Sequence, residues 1–292
     1  MNSLQLKSPA KLNLYLDVLR RRPDGYHDIE TVFEKIALFD TITIQRCEKG
    51  VRITTDDPRV PAGAGNLVHK AIRALRETVG FEEGVWVDIK KRIPVAGGLG
   101  GGSSDAAATL AGISRLFKLG LSTAQQMAIA GSVGADVPFF LHACRFGIGT
   151  GRGDMITPIH TDIALWHIIV SFNFGIPTKD MYEALNLGLT PRGPGAKICV
   201  PFLIKKDVEN LGCSLYNRFE EVALRRYAVV GAVKRLLLAE GAYGAVMSGS
   251  GPTVFGITRT REEAIGVTRR IRKRVDAGCR IMVVNTMSER KE

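Results

Sequence analysis

Residues 94–104 read PVAGGLGGGSS, with five glycines among the six positions 97–102. A tight turn from strand to helix does not need that many, so the density asks for another reason. Without Cβ atoms the backbone can approach an anion closely and turn successive N–H groups toward it. A strand is expected over residues 85–89, running into the segment. A helix is expected to open near Ser103 and carry Ala107, Leu110, Ile113 and Phe117 inward. The start of that helix adds unpaired N–H donors and the positive end of its dipole. The ligand implied is a polyphosphate. Ser103, Ser104 and Asp105 can then cap the helix, bind phosphate, or lend oxygens to a magnesium site. No G-K-[ST] closes the segment, so it is not a Walker A loop. A dinucleotide fingerprint fails as well, because Gly98 and Gly100 are followed by Ser103 at the last position.

The chain has 292 residues, 45% of them hydrophobic, enough for one large or two modest domains. No stretch approaches the roughly 18 consecutive apolar residues of a membrane helix, and the first seven residues lack the apolar core of a signal peptide. A soluble, cytoplasmic protein is expected. Five scattered cysteines without a C-x-x-C pair argue against a disulfide framework or a structural zinc site, and buried free thiols are expected. Net charge is +11. Much of the excess lies at Arg269, Arg270, Arg272, Lys273 and Arg274. A helix from about Glu262 places Ala264, Val267, Ile271 and Val275 on one apolar stripe and most arginines on the solvated face. Such a helix covering a sheet accounts for the charge. RNA binding and attraction of a polyanionic substrate are the alternatives.

Alternation over residues 4–16 turns Leu12, Leu14 and Leu16 one way and Lys11, Asn13 and Tyr15 the other, as in a strand with one polar face. Pro23-Asp24-Gly25 marks a turn, and strands are expected over residues 31–46 and 51–55. Residues 66–78 read as a helix. Ser122 with Gln125 makes a capping box that opens another through about Ser132. Residues 134–138 read as a helix stop and turn. A second half begins near Thr157, with a strand at 164–172, mostly helix at 217–240, and two short strands at 242–247 and 253–258 joined by SGSGP. Residues 191–195 read as a surface loop. Strands and helices mixed without regular alternation make the fold class α+β.

Three segments in order carry a resemblance. PAKLNLYLDV at 9–18, PVAGGLGGGSSDAA at 94–107 and MSGSGPTVF at 247–255 resemble the three motifs of the GHMP kinases, a superfamily named for galactokinase, homoserine kinase, mevalonate kinase and phosphomevalonate kinase. RPDGYH at 22–27 and GADVPF at 134–139 are similar to the branch that phosphorylates the 2-hydroxyl of a cytidine diphosphate methylerythritol, in the non-mevalonate route to isoprenoids. The resemblance implies an α+β fold of two domains. A ribosomal-S5-like N-terminal domain would occupy residues 1–157 and a ferredoxin-like C-terminal domain residues 158–292. It implies ATP as phosphoryl donor, with Mg2+ held mainly by its phosphates. Asp136 is assigned as base with Lys11 as its charge partner. Pro94, Val95, Ala96, Gly97, Gly98, Leu99, Gly100, Gly101, Gly102, Ser103, Ser104 and Asp105 would hold nucleotide phosphates, with Lys91 and Asn66 near the adenine and ribose. Asn13 would bond the substrate near its reacting hydroxyl. Tyr26 and Tyr182 would sandwich a cytosine, His27 would read its edge, and Thr178 would add a polar contact. From the residues alone, each also has a plainer reading as turn, cap or solvated side chain.

The implied partner is a small-molecule substrate, with neither nucleic acid nor membrane, and homodimer formation is left open. His142, Cys144 and Arg145 stand where small or apolar residues are expected, a departure that bears on local packing. An RNA-binding protein on an S5-like scaffold would leave the glycine loop, Lys11 and Asp136 without a task.

Overall fold

Period-two alternation near the N-terminus produces two long strands, β1 (Ser3–Arg21) and β2 (His27–Cys47), each longer than its pattern suggests. In the computed structural model, which describes residues 2–187 and 193–288, they are neighbours in one sheet and each contributes to two compact units. Of the expected loop at 191–195, Pro191 and Arg192 lie outside the described residues.

The first unit comprises Met1–Ala10, Leu38–Val95 and Gly100–Ala143. It adds β3 (Val51–Thr55), α1 (Leu67–Val79), β4 (Gly84–Lys90), α2 (Gly101–Phe117), α3 (Thr123–Val133) and α4 (Val137–Leu141). The later part of β2 pairs antiparallel with β4, Thr41 opposite Lys90 and Cys47 opposite Gly84, and β3 joins β4 in parallel. Ile42, Ile44, Val85, Val87 and Ile89 form the apolar face of these strands. Ala71 and Leu75 of α1, Leu110 and Ile113 of α2, and Ile129 and Val133 of α3 pack in the same cluster. Fully burying an aliphatic side chain of this size contributes about 1.5–3 kcal/mol, so the cluster anchors the helices. The capping box expected at Ser122 is present, Ser122 Oγ accepting from Gln125 N and Gln125 Oε1 from Ser122 N. Two expectations need correction. The helix after the glycine loop starts at Gly101, not near Ser103. The turn expected at 134–138 runs directly into α4, because Pro138 lies in its first turn, where its missing N–H costs nothing.

The second unit comprises Lys11–Ala37, Ala96–Leu99 and Cys144–Glu292. It contains β5 (Phe146–Thr150), β6 (Met155–Ile159), β7 (Trp166–Ser171), α5 (Thr178–Ala184), α6 (Cys199–Lys205), α7 (Val208–Ser214), β8 (Tyr216–Asn217), α8 (Glu220–Arg226), α9 (Ala228–Ala239), β9 (Gly244–Met247), β10 (Val254–Thr258), α10 (Arg261–Ile271) and β11 (Arg280–Asn285). β5 pairs antiparallel with the early part of β2 and with β6, and β8 lies parallel to β1. The remaining four strands form an antiparallel sheet in the order β11-β7-β10-β9. Counted along the chain this is 4-1-3-2, the ferredoxin-like order. Val230, Val233 and Leu237 of α9 and Ala264, Val267 and Ile271 of α10 join its core.

α10 buries Ala264, Val267 and Ile271 of the expected stripe but ends at Ile271, so Val275 falls beyond it and Arg272, Lys273 and Arg274 follow as exposed residues. Arg270 and Arg274 pair with Glu240. Arg145, out of place in the sequence pattern, donates to the Thr161 carbonyl. All five cysteines are free, yet only Cys199 is fully buried. Cys47 at the end of β2 and Cys213 on α7 are exposed, against the expectation of buried thiols. Among the described residues no helix is long and apolar enough to cross a membrane.

Candidate active site

In the first unit, the two flanks of the glycine loop are tied together by buried charge. Lys91 follows β4 and turns its ammonium inward, donating to Asp40 and, at 2.8 Å, to Asp105 Oδ2. Asp40 Oδ1 accepts from the backbone N–H groups of Arg92 and Ile93. Asp105, in the first turns of α2, also accepts from Ser8 Oγ at 2.8 Å. The chain entering the loop and the helix leaving it are thus held by one ammonium and two carboxylates. One ammonium cannot neutralise both. Burial pushes the Asp105 carboxyl up to about 6, with Lys91 pulling it back and the Asp40 charge adding to the rise. The two carboxylates raise the Lys91 ammonium against its burial. Lys91, expected beside adenine and ribose, therefore has its charge engaged here, and Asp105 faces Ser8 and Lys91. Ser104 is buried and its Oγ has no hydrogen-bond partner among the described residues. Asn66 caps α1: its Oδ1 accepts from Val68 N at 2.9 Å and its Nδ2 donates to the Pro61 carbonyl. Asp136 occupies the N-cap position of α4 without making the cap bond and is half-buried.

In the second unit, the loop residues Ala96–Leu99 lie against the β9–β10 turn. Ser248 Oγ donates to the Gly98 carbonyl at 3.0 Å. Ala96, Gly98 and, at the junction with α2, Gly100 all have positive φ, at 56°, 78° and 69°. Gly98 has no substitute: a Cβ there would stand 2.1 Å from the Ser248 carbonyl oxygen. Asn217 Nδ2 holds the turn by donating to the Met247 and Gly249 carbonyls. Lys11 is bonded to the same loop through its backbone, its N–H donating to the Leu99 carbonyl at 2.9 Å. Its ammonium donates to Asn13 Oδ1, Asn13 Nδ2 donates to Thr31 Oγ1, and Thr31 Oγ1 donates to the Tyr15 carbonyl. The polar face of β1 expected from the sequence is therefore a buried, ordered chain of bonds.

The aromatic residues singled out in the sequence meet in part. The His27 ring stacks on Tyr182, centroids 4.4 Å apart and planes 16° from parallel, and Tyr182 meets Phe219 edge-on. Burial and the Arg21 charge lower the His27 imidazole below its ordinary value. Tyr26 is 55% exposed, with the Arg152 guanidinium over its ring. Thr178 Oγ1 is 2.8 Å from Ser250 Oγ on the β9–β10 turn.

The family model for the GHMP kinases N terminal domain matches residues 66–144, and that for the GHMP kinases C terminal domain matches residues 199–277. The chain is 45% identical to the 4-diphosphocytidyl-2-C-methyl-D-erythritol kinase of Geobacter metallireducens, over 93% of this chain and 95% of that one. It is 43% identical to the Pelobacter propionicus protein of the same name, over 90% and 92%. The chain belongs to the 4-diphosphocytidyl-2-C-methyl-D-erythritol kinase family of GHMP kinases. A crystal structure of a 4-(cytidine 5'-diphospho)-2C-methyl-D-erythritol kinase superposes with a TM-score of 0.80 at 28% identity, covering 98% of this chain and all of that one. The homoserine kinase of Cytophaga hutchinsonii, at 21% identity and a TM-score of 0.76, shares the fold.

Within this GHMP kinase, sequence reasoning missed Ser8 and Asp40. The signal for Asp40 was available. It shares its parity along β2 with Ile36, Leu38, Ile42 and Ile44, all buried, and a carboxylate on an inward face needs a partner.

Proposed function

We propose that this chain transfers the γ-phosphoryl group of ATP to the 2-hydroxyl of 4-diphosphocytidyl-2-C-methyl-D-erythritol, giving the 2-phosphate and ADP on the non-mevalonate route to isoprenoid precursors. The observation that carries the assignment is 45% identity to a kinase of that name across nearly the whole of both chains. The glycine loop, with three positive-φ residues leading into α2, supports polyphosphate binding.

Phosphoryl transfer asks a protein chiefly for alignment and charge stabilisation. Backbone N–H groups of residues 94–104 and the start of α2 receive the donor phosphates. Lys91, Asp40, Asp105 and Ser8 hold the loop's flanks in register, with Lys91 and Asp105 beside the bound nucleotide. Asp136 accepts the proton of the acceptor hydroxyl. The Lys11 ammonium, oriented by Asn13 and Thr31, attracts the developing alkoxide. Asn66 lies near the nucleoside.

Mg2+ fits this donor set as an ion carried by the ATP phosphates. The buried Ser104 hydroxyl, which has no hydrogen-bond partner among the described residues, would have a bond to give to the ion or its phosphates. The ion supplies neutralisation of phosphate charge.

The cytosine is read as lying against Tyr26 and Tyr182, with Thr178 adding a polar contact. A base held between two rings needs about 7 Å between their planes, and His27 already lies 4.4 Å from Tyr182. His27 therefore leaves that ring face and meets the edge of the base. The division at residues 157/158, a cytoplasmic location and a small-molecule acceptor without RNA or membrane partners belong to the same reading, and homodimer formation is an open part of it.

Single-turnover assays of Asp136→Asn and Lys11→Ala test the mechanism. Each is expected to fold and to lose about 10²–10⁴ in the chemical step. An Asp136→Asn enzyme that keeps more than about a tenth of the wild-type rate would remove Asp136 from the role of base.

A further inference from the structure

The GTGRGD segment at 149–154 has no part in the reading above, yet it delivers a cation to Tyr26. β5 and β6 form a hairpin with Thr150 opposite Met155, joined by a turn at residues 151–154. Gly151 and Gly153, with φ of 66° and 96°, give the turn a backbone path that a side chain would strain. The turn is fastened to the start of β2. Ile29 N donates to the Gly151 carbonyl at 2.7 Å, and a Cβ on Gly153 would stand 2.9 Å from Ile29 Cδ1.

Between the two glycines stands Arg152. Its Nε donates to Asp154 Oδ2 at 2.9 Å and its Nη2 to the same oxygen. Its guanidinium lies over the Tyr26 ring, 5.0 Å from the centroid, within the range of a cation–π contact. The Tyr26 backbone is held separately: Asp24 Oδ1 accepts from Tyr26 N at 3.1 Å, and Arg22 pairs with both Asp24 and Asp28. The side chain of a residue 55% exposed would otherwise be free to change rotamer. Here its backbone and one face are both engaged by charged groups.

We propose that Arg152, braced by Asp154, is a positioning residue that presets the Tyr26 ring for the pyrimidine of the acceptor. This rests on the cytidine acceptor proposed above. A side chain ordered before binding spares the ligand that ordering cost, which corresponds to about two- to tenfold in affinity for one immobilised side chain. The guanidinium occupies one face of the ring and leaves the other to the base.

Steady-state kinetics on Arg152→Gln, Tyr26→Ala, the double variant and Asp154→Asn test this. Arg152→Gln is expected to raise the acceptor KM about two- to tenfold, with kcat and the KM for ATP within about twofold of wild type. Asp154→Asn should shift the acceptor KM in the same direction by less. In the Tyr26→Ala background the Arg152→Gln effect should vanish, because Arg152 acts through the ring. An undiminished effect in that background would mean that Arg152 meets the acceptor directly, and the proposal would be wrong. An unchanged acceptor KM in Arg152→Gln would overturn it equally. If wild-type enzyme fails to turn over the cytidine acceptor, the functional reading falls and takes this inference with it; failure confined to the variants strikes the inference alone.

Discussion

Gly98→Ala isolates the contribution of the loop's geometry. Gly98 has φ +78°, and an L-residue in that region costs about 1–2 kcal/mol. The new Cβ would also lie 2.1 Å from the Ser248 carbonyl oxygen and 3.1 Å from Gly251 N, where ordinary contact begins at about 3.5 Å. Loop and turn must therefore separate by more than about 1 Å. The bond from Ser248 Oγ to the Gly98 carbonyl is then stretched or lost, at about 1 kcal/mol. The expected loss of stability is about 2–3 kcal/mol, read by denaturant unfolding. A 1 Å error in placing the donor costs on the order of a hundredfold, so kcat/KM for ATP should fall by about that factor. Gly120→Ala supplies the control. Its φ is +64° with nothing within 4 Å of the added Cβ, so it should lose about 1–2 kcal/mol and no activity. A Gly98→Ala enzyme with ATP kinetics within threefold of wild type would refute the claim that this approach to Ser248 sets the loop.

Asp105→Asn should alter how stability depends on pH. The folded carboxyl titrates at about 6 against an ordinary 3.8, so between those values the folded state holds a proton that the unfolded state has lost. Stability therefore falls as pH rises from about 4 to about 6, and Asn should gain on Asp by about 3 kcal/mol across that window. A difference in unfolding free energy that does not vary from pH 3.5 to 7 would contradict the burial of Asp105 beside Lys91 and Asp40. Ser104→Ala should leave the nucleotide-free protein as stable as before or slightly more so, since the hydroxyl is buried without a partner. The same variant should lose about tenfold in kcat/KM for Mg-ATP, roughly the worth of one strong hydrogen bond; equal kinetics would take Ser104 out of phosphate or metal binding.

The parts of the fold legible in the sequence were those fixed locally. The capping box at Ser122 and Gln125, the alternation along β1, and the glycine loop each depend on residues close together in the chain. Pairings across long separations were not legible. Lys91, flanked by Lys90 and Arg92, was placed near the adenine and ribose or in solvent, but it shares parity with Ile89 and Ile93 and reaches Asp40 and Asp105 inside. The stack of His27 on Tyr182 joins the entry to β2 with α5, and no spacing rule connects the two. The start of α4 was read as a turn because Pro138 usually stops a helix; in the first turn it does the opposite. The exposed cysteines were misjudged because burial follows position in an element rather than residue type alone.

The central claim is the identity of the acceptor. The direct test is kcat/KM of the purified enzyme with ATP and, in turn, 4-diphosphocytidyl-2-C-methyl-D-erythritol, its uridine analogue, homoserine and mevalonate, with the phosphorylated position of the product assigned by phosphorus NMR. Phosphorylation of the cytidine compound at its 2-hydroxyl is expected, with weaker use of the uridine analogue and no turnover of homoserine or mevalonate. Comparable turnover of homoserine or mevalonate, or phosphate found at another hydroxyl, would contradict that claim.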